Sequence, residues 1–358
     1  MKNKVLITGS GGLIGYESTK FFLDKGWEVA GIDNNMRSYF FGEKGDTKNN
    51  IKHLIKQNKN YNHINLDIRN REEILGLFKE NGPFHLIIHT AAQPSHNWAA
   101  KEPFTDFDVN ALGTLNLLEA FRLHSNEGVF IFTSTNKVYG DRPNKVNLIE
   151  TESRYDFAKN QNELGVSTKG VSEEMSIDNS THSIFGSSKV AADVLAQEYG
   201  KYFGLNIGIF RGGCLTGPQH SAVELHGFLA YIVKCAKEGK QYTIFGYKGK
   251  QVRDQIHSKD VVSAFWEFYK NPKKGDVYNL GGGKENAASI IEIIDILKTE
   301  FGLKLNYTYS DENRIGDHIC YYTDLTKLKS DYPEWKIKIP IKEIIKEIIE
   351  WDNPKNKD

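Results

Sequence analysis

The 358-residue chain has no net charge, few cysteines and no long apolar run. Its 46 basic and 46 acidic residues balance, so no overall field attracts nucleic acid or an anionic membrane, and neither is expected as a partner. Cys214, Cys235 and Cys320 are too few and too scattered for a disulfide framework or a zinc site, and no metal is expected. No apolar run approaches the ~20 residues that span a bilayer, and no signal segment precedes the first strand. These absences predict a cytoplasmic protein.

The chain does contain a glycine-rich turn directly after an apolar strand that ends at Thr8. Glycine permits backbone angles that other residues avoid and lets the main chain approach a phosphate, while the following helix offers free N–H groups. The pattern therefore predicts a pyrophosphate site. The residues expected to form it are Gly9, Gly12, Leu13, Ile14 and Gly15.

A second strand, residues 28–32, ends at Asp33 and Asn34, roughly 20 residues beyond the glycines as the dinucleotide fingerprint requires. The Asp33 carboxylate can accept hydrogen bonds from both ribose hydroxyls of an adenosine, and it would repel a phosphate there. The expected cofactor is NAD rather than NADP. The alternative is a tight strand-to-helix turn with a solvated aspartate.

Strand-like runs alternate with segments of helical spacing through the first two-thirds of the chain. This alternation predicts an α/β fold with a doubly wound parallel sheet (Rossmann) and a smaller C-terminal α/β substrate lobe. We expect residues 1–211 with about 255–283 to form the NAD-binding domain, and residues 212–254 and 284–358 to form the lobe. The polar insert at 151–181 is either a surface loop or an active-site cover. The strand-like runs are residues 5–8, 28–32, 63–66, 86–90, 129–133 and 207–210.

Further motifs resemble the extended short-chain dehydrogenases/reductases, the NAD-dependent epimerase/dehydratase family, over nearly the whole chain. Asp67-Ile68 resembles the pair that holds adenine, and residues 89–93 resemble the turn that lets the dinucleotide cross the strand ends. Asn110 resembles the asparagine that this family carries on its fourth helix. The resemblance implies that NAD also contacts Asp67, Ile68, Ala91, Ala92, Gln93 and Asn110.

The same resemblance places Thr135 against the reacting hydroxyl and Lys189 on the nicotinamide ribose. The family's proton-accepting tyrosine, four residues before that lysine, is replaced here by Phe185. Removing a general base commonly costs roughly 10² to 10⁴ in rate. Three explanations remain open: an engineered Tyr-to-Phe change, a natural departure in which Thr135, His182 or a water chain moves the proton, or a protein that binds without turnover. We favour the natural departure, because some bacterial relatives of this kind carry phenylalanine in a similar context.

His182 lies three residues before Phe185 and has an unperturbed pKa suited to a base, so it is a catalytic candidate, although it could also be a hydrogen-bonding pocket residue. Lys137 either contacts substrate or forms a salt bridge. It follows Asn136 where dehydratases of the family carry Asp and Glu, and this disfavours a sugar 4,6-dehydratase.

The segment 249–260 resembles the diphosphate-binding block of nucleotide-sugar epimerases, with Arg253 as the gripping arginine. Residues 314–317 resemble a second clamp, and two guanidiniums suit a pair of phosphates because each binds two oxygens at once. A nucleotide-sugar ligand is therefore expected. The expected substrate residues are Asn136, Arg211, Arg253, Arg314 and Asp317.

The motifs most resemble the CDP-paratose (CDP-tyvelose) 2-epimerase group of this family. That resemblance implies an isomerase that oxidises a sugar hydroxyl transiently, with C2 the favoured position and no net redox change. A pyranose–furanose mutase, a UDP-sugar 4-epimerase and a non-catalytic binding protein stay open as alternatives. The resemblance also implies a homodimer formed by helices near 113–124 and 187–200.

Overall fold

The computed structural model describes residues 2–219, 227–312 and 317–351. Its strands are β1 (Lys4–Thr8), β2 (Glu28–Ile32), β3 (Tyr61–Ile64), β4 (Leu86–His89), β5 (Val129–Thr135), β6 (Leu148–Glu150), β7 (Tyr155–Phe157), β8 (Val166–Ser167), β9 (Gly170–Val171), β10 (Asn206–Gly212), β11 (Cys214–Thr216), β12 (Gln241–Phe245), β13 (Val252–His257), β14 (Lys274–Leu280), β15 (Ala287–Ser289), β16 (Asn306–Ser310) and β17 (Cys320–Tyr321). Its α-helices are α1 (Leu13–Asp24), α2 (Met36–Phe41), α3 (Lys48–Gln57), α4 (Arg71–Asn81), α5 (His96–Lys101), α6 (Pro103–Phe107), α7 (Gly113–His124), α8 (Ser183–Tyr202), α9 (Phe228–Glu238), α10 (Ser258–Lys270), α11 (Ile290–Phe301), α12 (Thr326–Asp331) and α13 (Ile341–Glu350).

Within these residues the central sheet has seven strands in the order β14-β10-β5-β4-β1-β2-β3. Every neighbouring pair in it is parallel. The chain winds outward in one direction from β1 and in the other from β4, so the strand order reverses between them. This is the doubly wound topology that the alternating pattern predicts, and the fold prediction is confirmed.

Successive residues of β1 show why both faces of the sheet are apolar. Val5 and Ile7 belong to one buried cluster, while Leu6 between them belongs to the cluster on the opposite face. Side chains alternate across a strand, so a continuously apolar strand needs cover on both sides. Helices supply that cover on each face.

The smaller lobe contains a second sheet in which β13 pairs with β11, β15 and β17, and a separate parallel pair, β12 with β16. The isoleucine face of α13 packs here, with Ile344 and Ile345 in one cluster with α9, β12 and α11. No helix in the described part of the chain is long and apolar enough to cross a membrane.

One segment departs from the predicted domain boundaries. Residues 325–335 were expected in the lobe, but Leu328, Tyr332 and Trp335 pack in the same cluster as Phe268 and Tyr278 on the central sheet. The Tyr278 hydroxyl also donates to Asp331 at 2.7 Å. The apolar surface of this segment is therefore buried against the first domain.

Candidate active site

A cavity of about 470 Å³ opens where β1, β2, β4 and β5 end. Ligands of open α/β sheets bind in this crevice, where the strand order reverses. The predicted site residues that line it are Gly9, Gly12, Leu13, Ile14, Asp33, Asn34, Asp67, Ile68, Ala91, Ala92, Thr135, Asn136, Lys137, Phe185, Lys189, Arg253 and Asp317. The predicted residues that are not among its lining residues are Gly15, Gln93, Asn110, His182 and Arg211. Arg314 lies outside the described residues.

The glycine turn leaves no room for side chains. Gly9 has φ +69°, and a Cβ on it would lie 2.9 Å from the Ala91 nitrogen. A Cβ on Gly15 would lie 2.0 Å from the Gly9 carbonyl oxygen, so Gly15 acts by letting α1 pack against the turn. Gly12 caps α1 without a side-chain hydrogen bond. The turn therefore combines close main-chain approach with the free N–H groups of a helix start.

Asp33 closes one end of this turn. Its carboxylate accepts hydrogen bonds from the N–H groups of Gly11 and Asn35, both at 2.8 Å. Arg37, which the sequence did not single out, also lines the cavity. Burial lowers its pKa to about 10, and the Asp33 charge opposes that shift. The Arg37 guanidinium thus lies near the Asp33 carboxylate, which is the group expected to exclude the 2′-phosphate of NADP.

Four buried polar atoms on the cavity-lining residues have no hydrogen-bond partner within the described structure. They are Thr133 Oγ1, Thr216 Oγ1, Gln251 Oε1 and Gln255 Oε1. Buried polar atoms are normally paired, so unpaired ones beside a cavity fit a polar ligand there. Together with the glycine cradle, they make the cavity suitable for a dinucleotide such as NAD.

Gln93 and Asn110 lie behind the cavity wall. The Asn110 side chain accepts from the Gln93 N–H at 2.9 Å and donates to Ser188 Oγ at 3.0 Å. Ser188 in turn donates to the buried Asp106 carboxylate at 2.6 Å. This network ties the turn after β4 to α8 next to Lys189. Gln93 and Asn110 therefore support the cavity wall from behind and are not among the residues that line the cavity.

The residues that the sequence predicts for the reaction centre lie at the end of β5 and the start of α8. Lys189 Nζ donates to the Thr133 carbonyl at 2.9 Å and lies 4.3 Å from the Phe132 ring centroid. Burial lowers the pKa of Lys189 to about 8, against the opposing charges of Asp193 and Asp106. Thr135 and Phe185 line the same cavity.

Two cationic side chains, Lys137 and Arg253, lie on the lobe side of the cavity. Lys137 Nζ is 3.9 Å and Arg253 Nη2 is 3.6 Å from the Asp317 carboxylate. Burial lowers the pKa of Lys137 to about 8, Arg253 lowers it further, and Asp317 opposes the shift. Cys214 also lines the cavity, and burial raises the pKa of its thiol to about 11, which keeps it protonated at neutral pH.

Arg211 requires a correction, because the structure holds it inside the domain. Its guanidinium forms two hydrogen bonds with the Asp193 carboxylate, at 2.8 and 3.1 Å, and donates to the Tyr139 hydroxyl at 3.1 Å. Arg211 is 5% exposed and Asp193 is fully buried. Burial lowers the pKa of Arg211, but Asp193 outweighs that effect and the net shift is upward. The arginine joins β10 to α8.

His182 requires a second correction. It lies just before α8, where Ser183 has the left-handed φ of +61°, so the three-residue spacing to Phe185 does not bring His182 to the cavity lining. His96, after β4, does line the cavity, and its ring contacts Phe185 with 4.9 Å between centroids. The position of His96 after a strand's carboxyl end was the signal that could have found it.

The insert at 151–181 forms the end of one small hairpin (β6–β7) and a second hairpin (β8–β9). It is anchored on the lobe, since Arg154 pairs with Glu292 at 2.7 Å and donates to the Ala287 carbonyl. None of its residues is among the cavity-lining residues within the described chain. The insert therefore packs on the lobe through a buried apolar cluster that includes Phe157, Val171 and Met175, and in the described chain it does not line the cavity.

Comparison with known proteins agrees with this geometry. A family model described as the NAD dependent epimerase/dehydratase family matches residues 5–281. The chain is 32% identical to a CDP-paratose 2-epimerase of Salmonella typhi, over 97% of this chain and 98% of that protein. It is 27% identical to a putative UDP-glucose 4-epimerase of Methanocaldococcus jannaschii, over 99% of both. A UDP-glucuronic acid 4-epimerase of Bacillus cereus, solved with UDP-glucuronic acid and NAD, superposes with a TM-score of 0.77 at 23% identity, over 97% of this chain and 98% of that one.

Proposed function

The chain belongs to the NAD dependent epimerase/dehydratase family, and on that premise we propose that it isomerises a nucleotide sugar by transient oxidation of a ring hydroxyl. Membership confirms the predictions of an enzyme and of NAD as its cofactor. The specific reaction that we propose is 2-epimerisation of a CDP-sugar.

One observation carries the proposal: a single cavity is lined both by the glycine cradle and by the cationic residues of the lobe, and Thr135 and Lys189 line it as well. Such a site can hold a dinucleotide and a second anionic ligand side by side. NAD, when bound, would accept and return a hydride. Thr135 would hold the reacting hydroxyl, and Lys189 the cofactor ribose.

The lobe side would hold the nucleotide sugar's diphosphate. Arg253 and Lys137 both lie within 4 Å of Asp317, so an incoming diphosphate could replace that carboxylate as their partner. A guanidinium suits the pair of phosphates because it binds two oxygens at once. Arg314 is proposed as a further contact from the sequence alone.

The choice of CDP and of C2 rests on the motifs and on the 32% identity to the Salmonella protein. A 4-epimerase acting on a UDP-sugar is the second candidate, because the Methanocaldococcus relative matches over the same length. A dehydratase is disfavoured since Asn136 and Lys137 cannot perform its carboxylate-based elimination. A ring mutase and a non-catalytic binder are the remaining alternatives.

The test incubates the NAD-loaded protein with CDP-, UDP- and GDP-sugars in deuterated water and follows mass and proton signals at C1, C2 and C4. A C2 epimer of unchanged redox state from the CDP-sugar would support the proposal. Change at C4 would favour the second candidate, and a furanose product the mutase. Tight NAD binding without any sugar product would contradict an isomerase. Thr135→Val is the matched variant, expected to slow turnover while leaving NAD bound.

We also propose a cytoplasmic homodimer. The three cysteines are free thiols, which suit a reducing compartment.

Apolar side chains on α6 to α8 are exposed, with Phe104 at 87% and Tyr202 at 79%. Covering such residues in a partner interface would remove apolar area from water. Sedimentation of Phe104→Ser, expected to shift toward monomer, tests this surface.

A further inference from the structure

Phe185 leaves the cavity without the phenol that its family uses as proton acceptor, so a replacement has to come from the residues around its ring. His96 packs edge-on against that ring, with 4.9 Å between centroids and 65° between planes. Both residues line the cavity. An imidazole therefore lies in contact with the position where the tyrosine ring would be.

The His96 ring is held in place from one side. Its Nδ1 lies 2.8 Å from Ser183 Oγ, and it makes no further hydrogen bond within the described residues. Nε2 is thus the ring nitrogen left for a ligand. The Ser183 hydroxyl can accept from an Nδ1–H both when the ring is neutral and when Nε2 is protonated. The bond that orients the ring therefore survives proton uptake.

Ser183 occupies an unusual backbone position for this purpose. It has φ +61°, in the left-handed region that residues other than glycine rarely adopt. Its hydroxyl also accepts from the Gly186 N–H at 3.3 Å, and its carbonyl accepts from Ser187 Oγ. This turn at the start of α8 places Ser183 Oγ at the imidazole, 87 residues away in sequence.

The surroundings keep the imidazole neutral before a ligand binds. Burial lowers the pKa of His96 to about 4, the Lys137 charge lowers it further, and Asp317 opposes both. A neutral imidazole has one ring nitrogen free to accept a proton. A bound diphosphate beside Lys137 would offset the ammonium charge, which favours that proton transfer.

We propose that His96 Nε2 replaces the absent phenol and accepts the proton of the sugar hydroxyl as that carbon is oxidised; this rests on the proposed isomerase function. The O–H bond would break with its proton forming an N–H bond at Nε2, and the C–H bond would break with its hydrogen and both bonding electrons leaving as hydride to bound NAD⁺. The carbinol becomes a ketone. The reverse sequence returns the proton to oxygen, so the cycle has no net redox change.

The test compares His96→Asn with wild type. Asparagine can keep a hydrogen bond to Ser183 but has no atom at the Nε2 position. The expected result is unchanged nucleotide-sugar binding by calorimetry, with turnover slower by roughly 10² to 10⁴. His53→Asn, on the exposed face of α3, is the control. Full activity of His96→Asn, or a larger loss in His182→Asn, would overturn the proposal.

Two further measurements separate proton transfer from folding. Adding Phe185→Tyr to His96→Asn should restore part of the rate, because a phenol would again lie in the cavity with Lys189; a folded, sugar-binding double variant without recovery would count against the role. Nitrogen NMR of wild type should show the His96 Nε2 signal move when nucleotide sugar binds. An unmoved signal would refute contact between His96 Nε2 and the bound nucleotide sugar, whether or not the protein turns sugar over. A wild-type protein that turns over no sugar would by itself refute only the isomerase function.

Discussion

Replacing Arg211 with methionine should destabilise the protein without weakening substrate binding. The substitution removes the two hydrogen bonds to Asp193 and leaves that fully buried carboxylate without its hydrogen-bonded cation. The remaining partners of Asp193, Ser134 at 2.5 Å and Gln197 at 2.7 Å, are neutral. Breaking one side of a buried ion pair costs about 3–5 kcal/mol. At about 2.1 cal/mol/K of unfolding entropy per residue over 358 residues, this is a fall in Tm of roughly 4–7 °C.

The assay is thermal and denaturant unfolding of R211M, D193N and the double variant, each with and without NAD. The double variant removes both charges, so its loss should be smaller than the sum of the single losses by about 0.5–3 kcal/mol. The KM for nucleotide sugar should stay near the wild-type value. A Tm within about 1 °C of wild type, against the fall expected from the unfolding entropy, together with a raised KM would refute this reasoning and return Arg211 to the substrate site. Additive losses would refute the ion-pair account.

Three more predictions concern the two ends of the cavity. Gly15→Ala should abolish NAD retention, because its Cβ would lie 2.0 Å from the Gly9 carbonyl oxygen; normal cofactor content after purification would contradict this. Asp33→Ser should weaken NAD binding by roughly 10- to 150-fold, the equivalent of a charged hydrogen bond of about 1.5–3 kcal/mol. The variant should also bind NADP, because Arg37 is close enough to meet its 2′-phosphate. Calorimetric titration with NAD and with NADP measures both changes. The pKa of Lys137 is about 8, so its positive charge is lost as pH rises through 8 and the KM for nucleotide sugar should rise between pH 7 and 9. Lys137→Arg keeps its charge over this range and should flatten the pH profile of KM. An equal rise of KM in both proteins would exclude Lys137 as the cause.

The sheet and the cofactor half of the site were predictable because their signals are local. Strand, glycine turn and helix follow one another within residues 4–24, and β2 delivers Asp33 from a fixed distance along the chain. In parallel sheets the ends of neighbouring strands meet at one edge, so strand order converts these local signals into a site. Thr135, which only the family resemblance singled out, lies at the end of β5 and lines the same cavity.

Arg211 was misplaced because a strand alternates its side chains between two faces. It lies one residue before the end of β10, close enough to the sheet edge to suggest the substrate. The structure points its guanidinium at Asp193 of α8, where the ion pair joins strand to helix. Sequence position alone could not show which buried carboxylate the arginine would meet.

The exchange of His182 for His96 shows the limit of spacing arguments for catalytic residues. A three-residue interval brings side chains together only when both lie on one helix, and α8 begins at Ser183 with a left-handed φ. That turn displaces His182 and places the Ser183 hydroxyl at His96, a contact across 87 residues that no periodicity encodes. If His96 takes the proton, the phenylalanine at position 185 and the histidine at position 96 are two parts of one change. A chain that carries Phe185→Tyr should then tolerate His96→Asn far better than wild type does, which makes the two positions energetically coupled in turnover.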